Sequence, residues 1–231
     1  MSFLIGLDLG QTTDPTAIAI LERDQHEDAP ATYQCRHLER LRLGTTYPDV
    51  VRHMKALVSR PQLQQVIHSV GRRRAYGGVG WATEQTVVTP QLIVDATGVG
   101  RPVVDMLKDA GLEPIAITIT GGDAVTFDAG WRVPKRDIVA TMQVLLQSDR
   151  LKIASTLQFA PTLQEELLRF RVKIDPLTAH DSYGVWREGG HDDLVLACAI
   201  ACWIGERGLM RRRDFSPEAW GLARRYVGRL I

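Results

Sequence analysis

From Leu194 to Trp203 the chain reads Leu-Val-Leu-Ala-Cys-Ala-Ile-Ala-Cys-Trp, without a charged residue, directly after Asp192 and Asp193. A helix that is apolar on every side belongs in a core, and this run is too short to cross a bilayer. The fold must therefore offer a central seat for a helix and tolerate two carboxylates at its start. Cys198 and Cys202 lie inside the run and read as small core residues rather than metal ligands. Together with Cys35 they make an odd number with no spacing that suggests a disulfide, which fits a reducing cytoplasm.

The rest of the chain alternates between strand-like and helix-like segments. Phe3 to Leu9 is a short apolar run. The turn-prone segment from Gly10 to Pro15 leads into Thr16 to Leu21, and Thr32 to Leu43 alternates as a third strand. Val50, Val51, Met54, Leu57 and Val58 recur at helical spacing, and Pro61 stops that helix. Leu92 to Asp95 is a buried strand, followed by the tight turn Ala96-Thr97-Gly98-Val99-Gly100 and a helix closed by Gly111. Glu113 to Thr120 is a further strand, Pro134 opens a helix through Gln147, Leu151 to Ile153 is a short strand, and Pro161 opens a helix through Phe170. The pattern is α/β, with first strands that can form an antiparallel meander. The chain divides into a domain over 1–205 and a basic helical tail over 206–231. Residues 62 to 90 are least readable, and Arg72 to Trp81 suggests either a solvated loop or hairpin tip, or a nucleic-acid contact made by charge and stacking.

The formal net charge of +1, from 28 basic and 27 acidic residues, excludes a histone-like protein and an acidic disordered one. With 45% hydrophobic and 24% charged residues the chain has the make-up of an ordinary globular domain. The positions of three acidic sites are more informative. Asp8 ends the first apolar strand, Asp95 ends a second, and Asp192 and Asp193 open the apolar helix. Each alone could be a turn residue or a helix cap. Together they match what hard divalent cations need, several carboxylates gathered at one end of a sheet.

On these residues the chain resembles a known family. Ile5-Gly6-Leu7-Asp8, Asp14-Pro15-Thr16-Ala17-Ile18, Val94-Asp95-Ala96-Thr97-Gly98-Val99-Gly100, Val133-Pro134-Lys135-Arg136 and Gly190-His191-Asp192-Asp193-Leu194-Val195-Leu196-Ala197 look like the nuclease domain of tailed-phage terminase large subunits, over about residues 3 to 204. The resemblance implies an RNase H-like mixed sheet with helices on both faces. It also implies a two-metal endonuclease that uses Mg²⁺ or Mn²⁺ to cut double-stranded DNA during genome packaging. It makes Asp8, Asp95 and Asp193 the catalytic, metal-binding triad, with Asp192 the alternative or additional ligand and His191 a ligand, proton shuttle or orienting residue. The packaging ATPase, the portal or the small terminase would be partners, in the host cytoplasm and away from membranes. No Gly-x-x-x-x-Gly-Lys-Ser/Thr segment occurs, so the chain is either an excised domain or a protein whose motor is another chain.

Lys135 and Arg136 fall in the first turn of a helix, where cations are disfavoured unless an anion such as a DNA phosphate binds there. With Arg72, Arg73 and Arg74 they are the expected DNA contacts. Arg207, Arg211, Arg212, Arg213, Arg224, Arg225 and Arg229 make the tail either a DNA or partner contact or a solvated amphipathic helix. Two other readings share parts of the pattern: a RuvC-type Holliday-junction resolvase, and a compact actin- or sugar-kinase-like phosphotransferase whose phosphate turns would be Gly6 to Thr13 and Asp95 to Gly100.

Overall fold

The computed structural model describes residues 1–10, 14–26, 28–75, 78–98, 100–174, 181–185 and 192–208, with side chains throughout except at 67–75, 78–86, 170–174 and 181–185. In chain order the elements are β1 (Ser2–Asp8), β2 (Ala17–Asp24), β3 (Thr32–Arg40), α1 (Tyr47–Val58), β4 (Gln65–Ala75), β5 (Gly78–Val88), β6 (Gln91–Asp95), α2 (Gly100–Asp109), β7 (Ile115–Thr120), β8 (Thr126–Phe127), β9 (Trp131–Pro134), α3 (Lys135–Gln147), β10 (Leu151–Ile153), α4 (Ala160–Arg169), β11 (Phe170–Ile174), β12 (Asp181–Val185) and α5 (Asp193–Glu206). Among them, eight strands form one sheet in the order β10-β3-β2-β1-β6-β7-β9-β8. β1, β2 and β3 are antiparallel neighbours, and β1, β6, β7 and β9 run parallel.

The sheet is covered on both faces, and strand alternation assigns each residue to one of them. Leu4, Ala17, Ala19, Leu21 and Ile93 pack with α3, α4 and α5, while Ile5, Leu7, Ile18, Ile20, Leu92 and Val94 pack with α1 and α2. The central strands are apolar on both sides for this reason. α5 is the apolar helix expected over 192–203, and every residue from Asp193 to Gly205 is buried. It lies across β1 and β2, and touches β6, β3, α3 and α4. Cys35, Cys198 and Cys202 are free thiols buried in this core, and burial pushes Cys202 above its ordinary thiol range.

α5 can sit this close because residue 6 has no side chain. A Cβ there would lie 1.9 Å from the Ala197 carbonyl oxygen and 3.3 Å from the Ala201 Cβ. The other end of α5 is tied to the sheet edge. The Tyr33 hydroxyl donates to Glu206 at 2.8 Å, Arg150 donates to the same carboxylate at 2.6 Å, and Arg23 Nε donates to the Gly205 carbonyl at 2.9 Å. Arg207 lies over the Trp203 ring, its guanidinium carbon 3.4 Å from the centroid, and Trp131 meets that ring edge-on at 5.4 Å. Glu206 and Arg207 are thus packed on the domain, while the tail from 209 lies outside the described residues.

Three local features differ from the sequence expectation or add to it. Residues 65–75 and 78–88 form an antiparallel hairpin, in keeping with the hairpin tip that is one alternative for Arg72 to Trp81, with β4 paired to β5 from Gln65↔Val88 to Ala75↔Gly78 and Arg72, Arg73 and Arg74 near the end of β4. The strands β8 and β9 extend the sheet before α3. β11 and β12 form a separate two-stranded ribbon. No helix among the described residues is long and apolar enough to cross a membrane.

The seating of α5 makes a testable statement. Gly6→Ala should lower stability by about 1–3 kcal/mol through overpacking, measured by urea unfolding, because backbone and not a flexible side chain opposes the added methyl.

Candidate active site

Asp8 and Asp95 are the last residues of neighbouring parallel strands, paired through Leu7↔Val94. Asp8 continues the alternation of Leu4 and Gly6, and Asp95 that of Ile93, so both belong to the α5 face at the strands' carboxyl ends. α5 begins at the same end, with Asp192 at its N-cap position and Asp193 in its first turn. The helix axis thus delivers the third acidic site to the first two.

The electrostatics show how closely these groups are felt. Partial burial raises Asp8 well above the usual carboxylate range, and repulsion from Asp95, then Asp192, then Asp193 raises it further, while Lys135 opposes the shift. Burial also raises Asp95. Against this act the Thr97 hydroxyl at 2.5 Å and backbone N–H at 2.8 Å, both donating to Asp95 Oδ1, and the Lys135 charge. The proximity of Asp8, smallest of these influences, also acts against the rise. Thr97 is itself held, because its Oγ1 accepts from the Ile119 N–H at 2.8 Å. The turn after β6 therefore orients Asp95 rather than merely reversing the chain.

The two aspartates of α5 have different partners. Asp193 is buried, and its Oδ2 and Oδ1 accept from Arg40 Nε at 2.7 Å and Arg40 Nη2 at 3.0 Å. The same guanidinium pairs with Glu166 of α4, whose other oxygen accepts from the Val195 N–H at 3.0 Å. Burial pushes Glu166 up to about 7 in spite of these donors. Asp192 faces the other way, and its Oδ2 accepts from Lys135 Nζ at 2.8 Å. Asp8 accordingly feels Asp192 more strongly than Asp193.

The structure thus gathers Asp8, Asp95, Asp192 and Lys135, with Asp193 one step behind them on Arg40. Lys135 lies within the acidic cluster, whereas Arg136 turns outward to Asp123 at 2.7 Å and Asp137 at 3.5 Å. Arg72, Arg73 and Arg74 have backbone positions on β4 only, and His191 lies outside the described residues. Sequence reasoning passed over Thr97, Arg40 and Glu166. Glu166 carries a signal, since it follows Leu163 by three residues and so shares the buried stripe of α4. Arg40 carries none beyond its place at a strand end.

As donors, these oxygens suit a hard divalent cation, and one ammonium does not neutralise them. Among the described residues no group of three or more His, Cys, Asp or Glu side chains forms a ready-made metal cage. Asp192 is paired with Lys135 and Asp193 with Arg40.

A mixed sheet whose antiparallel first three strands are joined by parallel neighbours, with helices on both faces, is the RNase H-like fold, in the form found in terminase nucleases. The large terminase nuclease from thermophilic phage G20c superimposes with a TM-score of 0.56 at 18% identity, over 87% of this chain and 80% of its own. The large terminase nuclease domain from bacteriophage SPP1, a structure with bound Mn, gives a TM-score of 0.46 at 12% identity, over 87% of this chain and 85% of its own. No protein-family model matches the chain, and no curated protein matches it in sequence.

The buried ion cluster behind the site can be tested directly. Arg40→Ala leaves two buried carboxylates without their cation and should cost about 3–5 kcal/mol. Unpaired buried carboxyls titrate higher in the folded than in the unfolded chain, so the folded state binds more protons. The deficit should therefore shrink as pH falls from about 8 to about 5, through the raised values, read as urea midpoints at each pH.

Proposed function

We propose that this protein is a metal-dependent endonuclease that hydrolyses double-stranded DNA in viral genome packaging, as a terminase large-subunit nuclease without an ATPase motor in this chain. The observation that carries the proposal is the meeting of Asp8, Asp95 and the α5 aspartates at one end of an RNase H-like sheet. The shared fold with the phage G20c nuclease supports it.

Asp8, Asp95 and Asp192 are the residues that would hold Mg²⁺ or Mn²⁺, as two ions. Asp193, the third member expected from sequence, is bound by Arg40 and fixes the start of α5. Bound there, divalent cations supply the Lewis acidity that phosphodiester hydrolysis needs. Thr97 keeps one oxygen of Asp95 engaged and so aims the other into the cleft. The β4–β5 hairpin, with Arg72, Arg73 and Arg74 near its tip, and Arg136 on the outer side of α3 are the candidate contacts to DNA phosphates. The packaging motor, portal or small terminase are the partners this role requires.

Supercoiled plasmid incubated with Mg²⁺ or Mn²⁺ tests the reading. The wild type should nick or linearise it, and Asp95→Asn should lose that activity while keeping the wild-type melting temperature to within a few degrees. A wild type inert in both metals sinks the proposal. Because burial holds Asp8 and Asp95 above the usual carboxylate range, cleavage should rise with pH as these carboxyls ionise and become competent to bind a cation. Thr97→Val, which keeps the shape and removes the hydroxyl, should slow cleavage about tenfold, the range seen for lost orienting partners of metal ligands, in single-turnover assays.

A further inference from the structure

We infer that Lys135 is the built-in counter-ion of the acidic cluster, and that a divalent cation enters by exchange with its ammonium; this rests on the metal-site reading above. Both partners of the Lys135–Asp192 pair forgo what their backbone positions favour. Lys135 is the first residue of α3, where the positive end of the helix disfavours an ammonium. Asp192 stands at the N-cap position of α5, where a carboxylate ordinarily accepts from the first-turn N–H groups, and its side chain makes no such bond. It reaches across to Lys135 Nζ instead, at 2.8 Å.

The neighbouring aspartate provides the contrast. Asp193 is gripped by the planar fork of Arg40 through two hydrogen bonds, beside a second buried carboxylate, at a site with 6% of the aspartate side chain exposed. A two-point guanidinium contact in a core is a fixed one. The Lys135–Asp192 contact is a single hydrogen bond on a flexible stem, with side chains 23% and 24% exposed. Lys135 also favours the ionised forms of Asp8 and Asp95, so its charge reaches all three proposed ligands. A cation that takes up Asp192 Oδ2 together with Asp8 and Asp95 displaces Lys135 Nζ from it. The displaced ammonium then stands at the edge of the cleft, with its charge available to a phosphate oxygen.

The readout is Mn²⁺ affinity of the DNA-free 231-residue chain by titration calorimetry. Removing one positive charge a few ångströms from a divalent ion should tighten binding about tenfold even at high dielectric. Lys135→Gln should show that gain and Lys135→Met should reproduce it, whereas Lys135→Arg, which keeps the charge, should stay near wild type. Mn²⁺ should also raise the melting temperature of the Gln variant more than that of the wild type. Unchanged or weaker binding by both neutral variants overturns the inference and leaves the metal site standing. An Arg variant that tightens as much as Gln overturns it too, since charge would not be the cause. If neither the wild type nor any variant binds Mn²⁺, the metal-site reading fails and the inference falls with it.

Discussion

Everything at the functional end of the sheet depends on one packing event, the burial of α5 against β1. The helix is apolar all round, so it has no face to present to water and must be enclosed by β1, β2, α3 and α4. Enclosure at this distance requires Gly6, because any side chain there would meet the Ala197 carbonyl. Once α5 is seated, its N-terminus has one possible location, the end of the sheet where β1 and β6 finish. The acidic residues at 8, 95, 192 and 193 are therefore brought together by hydrophobic packing and held against their mutual repulsion.

Asp192 stands at the N-cap position and Asp193 in the first turn, and the two side chains take different partners. Asp193 looks toward β3 and α4 and is neutralised by Arg40, with Glu166 completing a buried network. Asp192 looks toward α3 and Lys135. The doubled aspartate is thus a division of labour: one residue anchors the helix start to the sheet, and the other remains within reach of Asp8 and Asp95. The choice of cation matches each task, a guanidinium fork for the permanent contact and an ammonium for the exchangeable one.

The sequence made the framework readable where burial imposes a pattern. The core strands, the turn after Asp95, the helices opened by Pro48, Pro134 and Pro161 and the apolar α5 all follow from periodicity and turn chemistry, and the antiparallel opening of the sheet matches expectation. The hairpin at 65–88 was opaque because it pairs only with itself, outside the main sheet, so no core face imposes alternation on it. The acidic residues were identifiable individually, since each ends a core element. Their cations were not. Arg40 and Glu166 lie 126 positions apart in sequence and meet only through the register of β3 and the packing of α4 on α5. Lys135 was noticed as a cation in an unfavourable helical position, but its partner is 57 positions away and depends on where α5 begins.

These pairings also explain why a formal charge of +1 is a poor guide to binding partners. Part of the acidic charge is offset inside the domain, where Arg40 pairs with Asp193 and Lys135 with Asp192. Other basic residues lie elsewhere, Arg72, Arg73 and Arg74 on the β4–β5 hairpin and Arg136 on α3. A polyanion approaching such a molecule meets separate regions of opposite sign, not their sum. Its phosphates can be held by the flanks while the acidic cleft repels them until the carboxylate charge is offset by a cation. In the function proposed above, binding and cleavage would be separable steps, coupled by a cation held at Asp8, Asp95 and Asp192.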